Sequence, residues 1–374
     1  MDIEEEFEIV DNFSSKDGDD SAESEEENSN YSDIIDRTYN ASIYNFNYIY
    51  TYFIKYEIMI AGFKCPICNC NMNKVKEITF LDRECFRCKK SNPSHDIKIN
   101  LRKNSIFEEI KMNLISIFFI IYECFLNNIS ANKAKLEFSE FKKHIDVPDI
   151  SKNNINKLYS KLRNVIKLRM HETWKKEPLC YNIDGEIPRV EIDESKLIAN
   201  QEKTYWMFGI IERKSKNCRV FTVLDNRTRQ TLIPIILNNV YTINDLSEYH
   251  NNQDIHLYSL STRVYSDCWR AYNEIDFKNN GFILHRVNHS VWFGSGLFHT
   301  NTIEGLWSQI KRLCKDFAGI NFKLLNKIAN KGISEKDYLD DWICWGLFLR
   351  NIELKKLNKL NKIIELNKLL KIIK

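Results

Sequence analysis

The feature that most constrains the fold of this 374-residue chain is a series of apolar segments beginning near residue 186. RVEID (189–193), YWMFGII (205–211) and RVFTVLD (219–225) are rich in β-branched and aromatic residues. Short polar breaks separate them, the pattern of consecutive strands. A helical segment, Thr231–Val240, precedes a fourth strand ending at RVYSD (263–267), and FILHRV (282–287) supplies a fifth. A long helix is expected over 301–317. Three successive strands, then helix, strand, strand and helix, predict an α/β or α+β domain with a mixed sheet over 186–330.

Acidic residues fall at telling places in that pattern. Asp193 closes the first strand, Asp267 closes the fourth, and Glu304 lies in the first turn of the last helix. Carboxylates at strand ends and on an adjoining helix can converge on one edge of a sheet. Brought close without partners, they repel and resist ionisation. A divalent cation removes that conflict, and hard oxygen ligands favour Mg2+ or Mn2+. The helix supports this placement, because Ile303, Leu306, Trp307, Ile310, Leu313, Cys314 and Phe317 form one apolar stripe. Glu304 sits on the flank of the stripe, followed at successive turns by Ser308 and Lys311. Taken singly, each acid is more simply an ordinary surface carboxylate, and Glu194, Asp225 and Asp276 show how common such residues are.

Upstream, Cys65-Pro-Ile-Cys68 and Cys85-Phe-Arg-Cys88 are two CxxC pairs with sixteen residues between them. Four thiolates at this spacing predict a tetrahedral Zn2+ site joining two turns, a zinc ribbon. A redox CxxC is the rival reading, but two copies at ribbon spacing favour the metal. The zinc is expected to be structural, because four protein ligands leave no open position for chemistry. Asn69 follows the first pair and tolerates the left-handed backbone that such turns favour. Cys70 is close by but out of register with the pairs.

The net charge of +3 conceals a division. Residues 1–36 hold fifteen acids and one lysine, which leaves 53 basic against 36 acidic residues in the remainder. A basic body suits a protein that handles a polyanion, although a well-solvated surface has the same composition. The acidic, Ser-rich stretch 1–40 cannot bury enough apolar area to order itself and is expected to be disordered. The acidic start lacks the basic-then-apolar pattern of a secretory signal, so eleven cysteines point to a reducing compartment and metal ligation. The most apolar window, Met112–Phe125, is too short to span a bilayer and reads as a buried helix, so no membrane role is expected.

The remaining boundaries follow from periodicity. Residues 41–100 comprise a short aromatic-rich helix and the ribbon. Residues 101–175 are expected to hold helices at Ser105–Asn127, Ala131–His144 and Ser151–Met170, a helix-turn-helix-like module that any small helical bundle also resembles. Residues 331–374 end in a basic amphipathic helix with Leu357, Leu360 and Ile364 on one face.

Several segments, VEIDESK, YWMFGIIER, TLIPII, VYSDCWRAYN, VNHS and HTNTIEGLWSQIKR, occur in that order between about 190 and 312. In them the chain resembles the Merlin superfamily of DDE transposases and its zinc-ribbon bacterial insertion-sequence relatives. The resemblance implies a ribonuclease H-like catalytic domain and two-metal-ion phosphodiester chemistry on Asp193, Asp267 and Glu304, with Asn301 as a substitute or helper. It implies double-stranded DNA as partner, at transposon ends and at the target, and a homo-oligomer that cuts paired ends. Lys311 and Arg312 continue past Glu304 on the same helix and are the expected phosphate contacts. His285, His289 and His299 gather by sequence near the same edge, and Trp269 and Trp307 are expected in the core. The stretch KLIANQEKTYW after Asp193 lacks the basic insert of the family. The acidic tail points to the nucleus if the source is eukaryotic and otherwise the cytoplasm is expected. The alternative reading is a catalytically retired, transposase-derived DNA-binding protein.

Overall fold

In the computed structural model of the protein, the described residues are 44–180, 187–224, 227–241, 261–267, 271–287, 299–317 and 319–371. The acidic segment 1–40, Asp225, Trp269 and His289 lie outside them. The strands are β1 (Asn73–Lys76), β2 (Glu84–Ser91), β3 (Ser94–Asn100), β4 (Arg189–Ala199), β5 (Thr204–Glu212), β6 (Cys218–Leu224), β7 (Arg263–Asp267) and β8 (Ile283–Val287). The first helices are α1 (Phe46–Lys55), α2 (Leu114–Phe119), α3 (Ala131–Phe141) and α4 (Lys152–Lys176). Then come α5 (Arg229–Leu237), α6 (Glu274–Asn279), α7 (Asn301–Lys311), α8 (Phe322–Ala329), α9 (Glu335–Leu354) and α10 (Lys359–Leu370). Wide π-helical turns extend α2 over Ile120–Phe125 and α7 over Arg312–Phe317. Among the described residues no helix is long and apolar enough to cross a membrane.

The chain divides into two compact units, one running to Tyr159 and resuming at Leu357, the other Ser160–Lys356. In the first, β1, β2 and β3 form an antiparallel sheet in that order. The helix expected to begin at Ser105 begins at Leu114 instead. Its start is set by the buried Arg102, which donates through Nη1 to the carbonyls of Ile110 and Met112, each at 2.8 Å. Those carbonyls face away from a helical ladder, so residues 105–113 fold as turns. Asp82 pairs with Arg102 at 2.8 Å and accepts from the Leu114 amide at 3.0 Å, while Asn113 caps the helix by accepting from the Ser116 amide. The C-terminal region is not one tail. Helix α10 belongs to this unit, where the buried Asn367 accepts from the Tyr122 hydroxyl and donates to that of Tyr52, both at 2.5 Å. Helix α9 belongs to the other unit.

The second unit is built on a five-stranded sheet in the order β6-β5-β4-β7-β8. Strands β4, β5 and β6 are antiparallel neighbours, and β7 and β8 run parallel to β4. This is the mixed sheet expected of a ribonuclease H-like domain. Val190, Ile192, Phe208, Ile210 and Val264 of one face pack with Leu232 and Ile236 of α5 and with Phe277 of α6. The other face receives α7, whose Ile303 and Trp307 approach Gly209 so closely that a Cβ there would lie 2.4 Å from the Trp307 ring. Asp340 of α9 accepts from the Thr222 amide at 3.0 Å, which satisfies a donor on the edge strand β6.

Asp193 was expected to close a strand, yet β4 runs six residues further, to Ala199. Its two sides explain the difference. Toward β5 the pairing continues from Asp193↔Gly209 to Ala199↔Thr204, whereas toward β7 it stops at Glu191↔Tyr265. Asp193 therefore stands at the end of a ladder on one side only.

Candidate active site and metal centre

Asp193, Asp267 and Glu304 are carried by β4, β7 and α7. Continuing the parallel register Arg189↔Arg263, Val190↔Val264, Glu191↔Tyr265 by two residues sets Asp193 level with Asp267. The Trp307 indole N–H donates to Asp193 Oδ2 at 2.7 Å, so the carboxylate is held from the helix side as well. Burial pushes the Asp193 carboxyl up to about 6; the Trp307 hydrogen bond opposes the rise and the charges of Asp267 and Glu304 add to it. All three acids thus share one electrostatic neighbourhood. Glu304 is exposed in the first turn of α7 and accepts from the Thr300 hydroxyl at 3.1 Å. A buried carboxylate whose proton affinity is raised by two neighbouring acids belongs to the kind of donor set a divalent cation fits. Among the described residues their oxygens do not lie within 4.8 Å of one another.

A fourth acid joins them. Glu194 is shielded from solvent and accepts from the Tyr272 hydroxyl. Burial, then the charges of Asp193 and Asp267, push it up to about 8, and Arg227 at 3.8 Å opposes them. Glu194 adjoins Asp193 on β4, and neighbours along a strand point to opposite faces. The charges of Asp193 and Asp267 reach it across the strand.

The other expected residues fall as follows. Asn301 is the exposed first residue of α7, one turn before Glu304. Lys311 is half-buried, and burial and Lys315 lower its pKa against the pull of Asp193. Glu304, Trp307 and Lys311 lie three and four residues apart, one stripe of the helix. Arg312 is exposed and off that stripe. Trp307 is buried but is more than core, since its polar edge holds Asp193. His285 stacks on Tyr265 with ring centroids 4.9 Å apart, and His299 Nδ1 lies 3.4 Å from Glu191.

In the first unit, Cys65, Cys68, Cys88 and His95 bring one ligand atom each to within 4.8 Å of one another. His95, not Cys85, completes the group. The reason is the strand itself: Cys85 and Cys88 both lie on β2, three residues apart, and an odd separation puts them on opposite faces. Cys85 is fully buried on the far side, where burial raises its thiol pKa. The register Cys88↔Ile97 and Lys90↔His95 makes His95 a diagonal neighbour of Cys88 on the same face. The sequence held a signal for this, a histidine seven residues after Cys88, but only the hairpin gives it meaning.

The donor chemistry suits Zn2+. His95 Nδ1 is 2.7 Å from the Pro93 carbonyl, which can only accept, so Nδ1 carries the proton and Nε2 turns a lone pair to Cys65 and Cys88 at 3.4 and 3.3 Å. Burial raises the Cys65 thiol, but the amides of Cys68 and Ile67 outweigh it and bring it down to about 6. Burial and the neighbouring thiols push Cys88 up to about 12. Thiols in such opposition are relieved by a cation. Asn69 adopts φ 54°, and its amide donates to the Cys65 carbonyl at 2.9 Å, closing the turn. Cys70 is exposed and accepts from Lys90 Nζ at 2.8 Å.

No protein-family model and no curated protein matches the chain. Among solved structures, it is similar to a chain in the CryoEM structure of the simian T-cell lymphotropic virus intasome in complex with PP2A regulatory subunit B56 gamma. Identity is 13% and the TM-score 0.23, with 49% of this chain and 60% of that chain covered. This chain thus spans less than two thirds of that one, and so loose a superposition adds nothing to the reading of the site.

Proposed function

We propose that the protein is a DDE-type DNA transposase of the Merlin kind, which cleaves and joins DNA strands at transposon ends. One observation supports the proposal most: Asp193 accepts from Trp307 and feels the charges of Asp267 and Glu304, and the β4–β7 register continued two residues past Glu191↔Tyr265 would set it level with Asp267. Asp193, Asp267 and Glu304 would hold Mg2+ or Mn2+, which supplies a water or 3′-hydroxyl of lowered pKa and neutralises the departing oxygen. Trp307 steadies the Asp193 carboxylate through Oδ2. Lys311, on the stripe that carries Glu304, reaches a phosphate beside the acids, and Arg312 contacts the backbone farther out. Asn301, one turn before Glu304, assists at the same edge. Zn2+ on Cys65, Cys68, Cys88 and His95 is structural and stiffens the hairpin of the DNA-binding part. The working form is a homo-oligomer on double-stranded DNA, in the nucleus if the source is eukaryotic and otherwise in the cytoplasm.

The test is a search of the DNA that flanks the gene for terminal inverted repeats, followed by a divalent-metal-dependent cleavage assay on those ends. The parent chain should cut at the repeat ends with Mg2+ or Mn2+ and fall silent with a chelator. Asp267→Asn should lose cleavage while keeping DNA binding; equal cleavage by that variant refutes the assignment.

A further inference from the structure

Beneath the acids lies a buried ion pair that the chemistry above does not use. Glu191 precedes Asp193 by two residues on β4 and is fully buried. Its Oε1 accepts from Arg213 Nε at 2.7 Å, and its Oε2 accepts from the Ile303 amide at 3.0 Å. Ile303 sits in the first turn of α7, immediately before Glu304, where orphan amides need an acceptor. No side chain of the cap residue Thr300 supplies one. Arg213 in turn donates to the His299 carbonyl just ahead of α7, and its guanidinium stacks at 3.7 Å on Tyr265. Tyr265 precedes Asp267 by two residues on β7.

One residue pair therefore touches all three acid-bearing elements, each one or two residues before its acid. Two residues along a strand return to the same face, so whatever fixes Glu191 and Tyr265 fixes the direction of Asp193 and Asp267. A buried charge is expensive unless fully paired, and here it is paired across elements that are distant in sequence.

We infer that Glu191 and Arg213 are positioning residues: together they hold β4, β7 and the start of α7 in register so that Asp193, Asp267 and Glu304 meet. The importance of that meeting rests on the proposed function, but the register itself is measurable without it. The Trp307 indole N–H is the reporter, because it reads the placement of α7 against Asp193 in metal-free protein. In full-length chain labelled with 15N-tryptophan, Glu191→Ala should lower the exchange protection of the Trp307 indole at least about tenfold, the equivalent of one hydrogen bond to a charged group. The indole of Trp345, fully buried in α9 of the same unit, should keep its protection. Should Glu191→Ala not fold, Glu191→Gln serves, since it keeps an acceptor for Ile303 and removes the charge facing Arg213. Unchanged Trp307 protection overturns the inference, and so does equal loss at Trp307 and Trp345, which marks a merely structural residue. Mn2+ titration followed by electron paramagnetic resonance adds a second reading, with affinity expected to fall about tenfold in the variant. If the parent takes up no Mn2+, the proposed function fails while the Trp307 result still decides this inference.

Discussion

Replacing Gly209 with alanine should destabilise the second unit, against the ordinary expectation for a strand. Gly209 does not adopt positive φ, so alanine suits its backbone and should by itself stabilise by about 0.5–1 kcal/mol through the unfolded chain. The environment decides otherwise. The added Cβ would stand 2.4 Å and 2.9 Å from two atoms of the Trp307 ring and 3.2 Å from Ile303 Cδ1. Trp307 is 5% exposed and cannot swing into solvent without leaving Asp193. Overpacking costs about 1–3 kcal/mol, and displacing the ring loses a hydrogen bond to a carboxylate worth about 1.5–3 kcal/mol. Set against the propensity gain, the net is about 1.5–5.5 kcal/mol of destabilisation. At a urea dependence of about 2 kcal/mol per molar, the unfolding midpoint should fall by about 1 M or more. The same substitution in a Trp307→Phe background should cost less, because the smaller ring leaves room for the methyl. A midpoint that stays or rises in the parent background, or an equal cost in both, refutes the wedge of Trp307 over Gly209.

Further outcomes follow from the same geometry. Cys85→Ala should retain about one zinc per chain by elemental analysis, whereas His95→Ala and Cys88→Ala should lose it; retention in the last two refutes the Cys3His assignment. Asp193 and Glu194 are raised to about 6 and about 8, so the folded unit binds protons more tightly than the unfolded chain between about pH 4 and pH 8. Their contribution to metal-free stability should therefore decline as pH rises through that window. Urea midpoints from pH 5 to pH 8 should flatten when Asp193→Asn and Glu194→Gln are combined; a slope untouched by the pair refutes the shifts. Asp340→Ala leaves the Thr222 amide without its acceptor and should cost about 1–3 kcal/mol in a urea melt, with faster exchange at that amide.

Much of the second unit was legible in the sequence because its elements carry local signatures. The strands at 189, 205, 219, 263 and 282 and the helix at 301 were readable from alternation and apolar stripes, and each is present within a few residues. The late start of α2 was not, because the interaction that prevents a helix over 105–113 comes from Arg102, whose role depends on a partner, Asp82, twenty residues upstream. Glu194 and Glu191 illustrate the same limit. As letters they are two more acids in VEIDES; in the fold one joins the acid edge and the other anchors the helix that bears Glu304.

What the sequence determined by itself was the order of the elements and the place of each acid along them, since period and capping are properties of a few adjacent residues. What only the tertiary structure decided was which face each side chain shares, and with whom. Cys88 finds His95 rather than Cys85 because a strand turns every second residue to the same side and a hairpin chooses the neighbour. Glu191 lies opposite Tyr265, two residues before Asp193 and Asp267, because β4 and β7, distant in sequence, pair in one parallel register and not in the next. Such pairings depend on long-range contacts, which local periodicity does not encode.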